Sequence, residues 1–307
     1  MKAIVFGGAG FLGSHVADAL TRRGHGVTVF DLHPSPYLQP GQKMKVGDIR
    51  NRVAVESAVR GHSIVYNFAG FSDIEASATH PLDTIESNVL GNGVILEACR
   101  RWKVRRYVFA STVYVYSQAG SFYRASKRAC EDYIECYEKV FGVPFTLLRF
   151  GSLYGPRADH RNGIFRLLKA ALEKGRIVYP GDGEELRDYI HVQDAAESSV
   201  DILAKIFKNQ CVVLSGAQPV RSKDLLILIQ EILGRRIPIQ FRAPPNSPMS
   251  LHYKLTPYSF VPREAKKLFS QTATDLGQGL LALISELHGK SNSHRPMSAV
   301  RPKRGRS

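Results

Sequence analysis

The chain opens on a continuous apolar run, Ala3-Ile4-Val5-Phe6, that stops at glycine; a helical pattern then carries through to about Arg23, and Val27 to Phe30 forms a second apolar run. Short apolar runs bounded by turn residues predict buried strands, and apolar positions recurring every three or four residues predict helices. The same alternation predicts further strands at Lys43 to Val46, Ile64 to Phe68, Arg106 to Ala110 and Phe145 to Phe150. Helices are expected between them at Arg52 to Val59, near Ile85 to Trp102, and around Tyr123. Strands that alternate with helices imply a doubly wound α/β fold, with a mostly parallel sheet covered on both faces.

After Pro156 the rhythm loosens. Helices are expected at Gly163 to Lys174, Asp194 to Lys208, Ser222 to Leu233, Arg263 to Leu268 and Asp275 to Leu287, with short strands at Val212 to Leu214 and Ile237 to Phe241. The proline-rich stretch from Pro244 to Pro262 reads as a loop, because proline removes backbone donors and fixes φ. A length of 307 residues fits two ordinary domains or one large α/β domain. We divide it into 1–160, a nucleotide-binding region, 161–288, a smaller α/β region that closes over a substrate, and 289–307, a basic tail.

The formal charge is +15, and the six cations after Glu286 (Lys290, Arg295, Arg301, Lys303, Arg304 and Arg306) account for part of it, leaving +9. Mixed with Ser, Pro, Asn and Gly, the tail reads as disordered, either simply solvated or weakly attracted to an anionic polymer or membrane. No base-reading module accompanies the charge, so specific nucleic-acid binding is not expected. Cys99, Cys130, Cys136 and Cys211 are widely spaced and lack the clustering of a structural zinc site, so reduced thiols and no metal are expected. The apolar stretch at the N-terminus is too short for a signal peptide or a membrane span, which makes cytoplasmic residence the default expectation.

Gly7, Gly10 and Gly13 punctuate the turn after the first strand in a GxxGxxG pattern. Glycines there permit a tight turn, close backbone approach to a pyrophosphate and close helix packing, while the amides of Phe11, Leu12 and Gly13 open a helix whose positive end favours phosphate. A turn unrelated to nucleotides has the same spelling. Asp31 ends the second strand, 18 residues after Gly13, where a carboxylate can bind both hydroxyls of an adenosine ribose and repel a 2'-phosphate. With Leu32 beside it and no arginine near, this favours NAD over NADP; the alternative is an aspartate capping a loop. Asp48 and Ile49 follow the third strand and suit the adenine, and Phe68-Ala69-Gly70 closes the fourth where backbone can pass under the ribose.

Tyr123 and Lys127 stand four residues apart, on one face if the segment is helical. A free tyrosine has a pKa of about 10 and is a poor base near neutrality. A neighbouring ammonium, aided by the charge of an oxidised nicotinamide, favours the phenolate. Ser111 and Thr112 follow the strand ending at Ala110, and a hydroxyl there can steady the substrate oxygen whose proton Tyr123 takes. Taken singly, the Tyr-Lys pair reads equally as a surface helix pair and the hydroxyls as a loop cap.

With these elements in this order the chain resembles the extended short-chain dehydrogenase/reductase family, particularly its nucleotide-sugar epimerases and dehydratases. The resemblance runs from residue 1 to about 288 and rests on the glycine turn, Asp31, Asp48, Asn67-Phe68-Ala69-Gly70, Ser111-Thr112, Tyr123 with Lys127, Leu153-Tyr154-Gly155-Pro156 and Arg187-Asp188-Tyr189-Ile190-His191-Val192. It implies a Rossmann-like fold, bound NAD, and a catalytic set of Thr112, Tyr123 and Lys127, with Lys127 also holding the nicotinamide ribose and Ala110 bordering the cofactor. It also implies a nucleotide-diphosphate sugar as substrate, met by Ser72, Thr112, Ser152, Asn162 and Arg187, with Arg187 as the phosphate anchor and Arg157 and Arg161 nearby. Dehydratases of the family follow the threonine with Asp-Glu, and decarboxylases often carry a glutamate there; here Val113-Tyr114 stand in those places, which argues against both reactions. What remains is epimerisation, most simply at C4 through a 4-keto sugar, or a keto/alcohol redox reaction; a non-catalytic cofactor sensor or scaffold is the rival outside enzymology. Ser152 replaces a common asparagine, and only six residues separate Tyr116 from Tyr123, so an unusual sugar pocket is expected. Family members pair through two helices of the first domain, here about 85–102 and 123–140, which implies a homodimer.

Overall fold

The computed structural model describes residues 1–234, 236–242, 252–255, 266–268 and 273–293. Its strands are β1 (Lys2–Phe6), β2 (Gly26–Asp31), β3 (Lys43–Val46), β4 (Ile64–Asn67), β5 (Arg106–Thr112), β6 (Phe145–Phe150), β7 (Ser152–Tyr154), β8 (Ile177–Pro180), β9 (Leu186–Arg187), β10 (Tyr189–His191), β11 (Gln210–Leu214), β12 (Val220–Arg221), β13 (Ile239–Arg242) and β14 (Lys266–Leu268). The helices are α1 (Phe11–Arg22), α2 (Arg52–Val59), α3 (Ile74–Thr79), α4 (Pro81–Thr84), α5 (Gly91–Arg101), α6 (Ser121–Phe141), α7 (Gly163–Lys174), α8 (Val192–Asp201), α9 (Ser222–Ile232) and α10 (Leu276–Ser293).

Eight strands form one sheet in the order β14-β11-β6-β5-β4-β1-β2-β3, and every pairing in it is parallel. The expected doubly wound Rossmann-like sheet is therefore present, and it takes β11 and β14 from beyond residue 160. Alternate residues of each apolar run serve opposite faces: Ile4 and Phe6 pack with α2, α5 and α6, whereas Ala3 and Val5 pack with α1 and α8. Burial on both faces is why these strands read as unbroken apolar runs. A third core joins α7, α9 and α10 through Leu168, Leu225, Leu226, Leu280 and Leu283 beside the short ribbons β13-β8 and β10-β7. Among the described residues no helix is long and apolar enough to cross a membrane.

Several boundaries differ from the sequence reading. The helix expected at Arg263 to Leu268 is instead, over Lys266–Leu268, a parallel strand on β11 with Val212 opposite Lys266, while 263–265 lie outside the described residues. The open edge of β11 supplies the backbone partners that override its weak local pattern. The helix expected through Lys208 ends at Asp201, where Arg106 donates to the Ile202 carbonyl at 3.1 Å, and a single 3-10 turn follows at Lys205–Phe207. The helix near Ile85 begins as a π turn, Ile85–Leu90. The tail does not start at 289, because α10 runs to Ser293; residues 294–307 and most of Pro244 to Pro262 lie outside the described residues.

Candidate active site

Phe6, Asp31, Asn67, Thr112 and Phe150 close five neighbouring strands at one edge of the sheet, so the glycine turn, Asp31, Phe68 to Gly70 and Thr112 come from that edge, while Tyr123 and Lys127 come from α6. In a doubly wound sheet this C-terminal edge, where the strand order reverses between β1 and β4, is where ligands bind. Gly7 takes φ +77°, and a Cβ on it would lie 2.6 Å from the Ala69 nitrogen; one on Gly13 would lie 2.1 Å from the Gly7 carbonyl oxygen. Only glycine lets α1 rest this closely on the turn. No side chain caps α1 and no acidic residue stands in its first turn, which leaves the positive end at Phe11, Leu12 and Gly13 available to an anion.

The Asp31 carboxylate accepts from the Ala9 amide at 2.9 Å and the Leu32 amide at 2.8 Å. It thus fixes the glycine turn and, with up to four lone-pair sites, keeps acceptor capacity for a diol. Asp48 is held by Arg50 at 2.7 Å, which lowers its pKa, and Arg50 reaches on to Glu86 at 2.9 Å. Ile49 is buried next to Gly91. Beyond β4, Phe68 and Ala69 pass directly beside Gly7, and Gly70 lies so close to Asn88 that a Cβ would meet its amide oxygen at 2.4 Å.

Asn88 is a structural centre that the sequence reading missed. From the π turn its amide accepts from the Phe71 N–H at 2.6 Å, donates to the Phe71 carbonyl at 3.0 Å and donates to the Ser126 hydroxyl at 2.8 Å. It therefore ties the loop after β4 to the helix carrying Tyr123 and Lys127. The available signal was an asparagine inside an apolar helical pattern, where its side chain competes with the helix for backbone partners.

Tyr123 and Lys127 lie on α6 as their spacing predicts. The Thr112 hydroxyl accepts from the Tyr114 amide at 3.2 Å and lies beside the Tyr123 phenol. Burial pushes Tyr123 up to about 12, and Thr112 opposes the rise. Lys127 is buried; its ammonium donates to the Ala110 carbonyl at 2.8 Å and lies 5.9 Å from the Tyr123 ring centroid. Burial lowers its pKa, with Cys130 and Glu131 pulling the other way. Ser111 turns inward, away from the role left open for either hydroxyl, and donates to Glu131 at 2.5 Å.

Tyr114 lies two residues beyond Thr112. Its ring lies 6.4 Å from that of Tyr123 and 4.6 Å from that of Tyr253, and its oxygen pairs with His252 Nδ1 at 2.7 Å. Arg187 stacks on Tyr253 at 4.4 Å and donates to the Leu186 carbonyl at 3.0 Å. Ser72 is exposed between β4 and α3. Ser152 begins β7, its amide held by the Asp188 carbonyl at 2.8 Å. Asn162 caps α7 by accepting from Phe165 at 3.1 Å, and it donates to the Leu153 carbonyl at 2.7 Å. Its side chain is thus engaged in structure. Arg157 likewise turns to Asp18 at 2.8 Å and covers Tyr37, while Arg161 is forked by Asp159.

This fold and edge define a dinucleotide-binding class, and the comparisons narrow it: the chain belongs to the NAD dependent epimerase/dehydratase family, whose model matches residues 3–214. It is 26% identical over 273 residues to a Bacillus subtilis protein named as an uncharacterized UDP-glucose epimerase, YtcB, covering 78% of this chain and 85% of that one. It is 28% identical over 225 residues to a UDP-N-acetyl-alpha-D-glucosaminuronate decarboxylase of Bacillus cytotoxicus, covering 65% and 70%. The crystal structure of Thermus thermophilus UDP-glucose 4-epimerase with NAD is similar at a TM-score of 0.78 and 25% identity, covering 94% of this chain and 99% of that one.

Proposed function

We propose that this enzyme is an NAD-dependent nucleotide-sugar epimerase that inverts C4. The observation carrying the reading is the adjacent pair Thr112 and Tyr123, with Lys127 one helical turn on, at the sheet edge beside the glycine cradle. Gly7, Gly10 and the amides of Phe11, Leu12 and Gly13 would hold the pyrophosphate of NAD, Asp31 the adenosine ribose, Leu32, Asp48 and Ile49 the adenine, and Phe68, Ala69, Gly70, Ala110 and Lys127 the remainder. Bound there, NAD would supply a hydride acceptor and, in its reduced form, a donor.

Tyr123 as phenolate takes the proton of the sugar C4 hydroxyl and returns it when the 4-keto sugar is reduced on its other face. Thr112 donates to the same oxygen and stabilises charge there. Lys127, held on Ala110, supports the phenolate electrostatically once the cofactor's own charge is added. Val113 and Tyr114 offer no carboxylate for elimination or decarboxylation, which favours simple inversion. Ser72, Ser152 and Arg187 are the proposed contacts to the nucleotide-diphosphate sugar, Arg187 after leaving its stack on Tyr253; Asn162 serves by fixing α7 to β7. We also infer a homodimer, supported by exposed apolar side chains on the two expected helical segments: Ile85, Leu90, Tyr133 and Val140.

Incubating the purified protein with C4-epimeric pairs of UDP-, dTDP- and GDP-hexoses tests the reading. Interconversion of one pair without net NADH consumption is expected, and stoichiometric NADH use yielding a single alcohol would replace epimerase with ketoreductase.

A further inference from the structure

We propose that Ser111, Glu131, Arg149 and Tyr116 form a buried clamp whose task is to set Thr112 against Tyr123. The proposal deepens the epimerase reading and rests on it for the meaning of that contact. Its geometry encloses the reactive turn. Ser111 on β5 stands opposite Arg149 on β6 in the parallel register. The Ser111 hydroxyl donates to Glu131 Oε1 at 2.5 Å, and Arg149 donates to the same carboxylate through Nε at 2.9 Å and Nη2 at 2.6 Å. The remaining arm of Arg149 donates to the Tyr116 hydroxyl at 2.5 Å, with the guanidinium 4.7 Å from the Tyr116 ring centroid.

Residues 111 and 116 are the two ends of the segment containing Thr112 and Tyr114. One guanidinium therefore holds both ends, at the near end through Glu131. Glu131 itself lies on α6, eight residues after Tyr123 and four after Lys127, on the same helical face. The clamp thus joins the element bearing the hydroxyl to the element bearing the phenol. Four residues, three of them buried, fix the relation between Thr112 and Tyr123.

Stability alone gives little reason for such a device. Both charged side chains are only 1% exposed. Removing an ion pair from water costs about as much as the attraction returns, and apolar residues of equal volume often serve as well or better. What an ion pair supplies and an apolar cluster does not is direction: the carboxylate fixes the Ser111 rotamer, and the planar guanidinium fork admits one orientation of Glu131. The charges of Glu131 and Arg149 also cancel locally.

Ser111→Ala and Tyr116→Phe each open one end of the clamp while leaving the buried charges paired. Each is expected to lower kcat roughly 10- to 100-fold, the scale of a misplacement of about 1 Å, with KM for the nucleotide sugar changed less than about twofold. The acid limb of kcat should move to higher pH, because Tyr123 loses the hydroxyl that favours its phenolate while still facing Lys127 and Tyr114. A purely structural role would lower Tm and leave that limb in place; a native kcat and limb in either folded variant overturns the proposal. A second arm needs no turnover: crystal structures of the native chain and S111A should show Thr112 Oγ1 farther from Tyr123 Oη by about 0.5 Å or more. An unchanged separation overturns the clamp. A native protein that interconverts no sugar sinks the epimerase reading, and the structural arm still decides this one.

Discussion

Lys127 stands 5.9 Å from the centroid of the Tyr123 ring, and its ammonium is directed at the carbonyl of Ala110 rather than at the phenol. The two side chains share a helical face, but the lysine acts through space and through a backbone anchor. Tyr123→Phe removes the proposed base and is expected to reduce kcat by roughly 10²- to 10⁴-fold with little change in cofactor binding. Lys127→Met removes a positive charge that favours the phenolate, so the acid limb of kcat should shift upward in pH. Rate profiles from pH 5 to 10 check both. A lysine variant with a native acid limb would show that Lys127 only holds the ribose.

Asp31 has two tasks in the structure, anchoring the Ala9 amide and presenting a carboxylate at the end of β2. Asp31→Ala should therefore weaken NAD by roughly tenfold, the worth of one charge-assisted hydrogen bond. It should weaken NADP less, because the repulsion toward a 2'-phosphate goes with the carboxylate. Titration calorimetry with both dinucleotides gives the ratio. Equal losses for the two would assign Asp31 to the turn alone.

Gly13→Ala isolates the packing role of the glycine turn. The added methyl would meet the Gly7 carbonyl oxygen at 2.1 Å, so the start of α1 must move although alanine is the better helix former. A loss of about 1 to 3 kcal/mol is expected from overpacking, together with weaker dinucleotide binding. Gly163→Ala, where nothing lies within 4 Å, should be neutral or slightly stabilising. Chemical denaturation of the two variants makes the comparison, and similar values for both would remove the close-packing argument.

The alternation that reveals the sheet is legible because Ala3 to Phe6 and Phe145 to Phe150 are buried on both faces, the first with no polar residue and the second broken only by Thr146 and Arg149. Tyr123 and Lys127 are legible for a related reason: helical spacing is local, and four residues suffice to place two side chains together. Lys266–Leu268 was not, since two exposed lysines give no strand pattern and its conformation comes from the free edge of β11. Ser111 and Thr112 are neighbours of similar chemistry, and only the pleat decides that one faces Glu131 and the other Tyr123. The pairing of Tyr114 with His252 spans 138 residues and has no local trace. Asn88 left a faint one, yet its three partners are set by the fold.

His15 provides a prediction in pH. It lies on α1, buried, with Nε2 paired to the Pro156 carbonyl at 3.0 Å, so the neutral ring must carry its proton on Nε2 to donate. Burial lowers its pKa to about 4; the Pro156 bond opposes this and the Arg157 charge adds to it. The folded chain therefore binds fewer protons here than the unfolded chain between about pH 6.5 and 4, and stability must fall as pH drops through that window. The contribution is fully present above pH 6.5, and roughly 3 kcal/mol of it is lost by pH 4, at about 1.4 kcal/mol per pKa unit. His15→Gln retains a donor for Pro156 and cannot titrate, so its unfolding free energy should depend less steeply on pH across the window. Urea unfolding of both proteins between pH 7.5 and 4 measures the difference. Parallel curves would mean that the tie between α1 and the loop after β7 survives protonation, and that acid sensitivity arises at half-buried His62 or buried His191, whose pKa values burial also lowers.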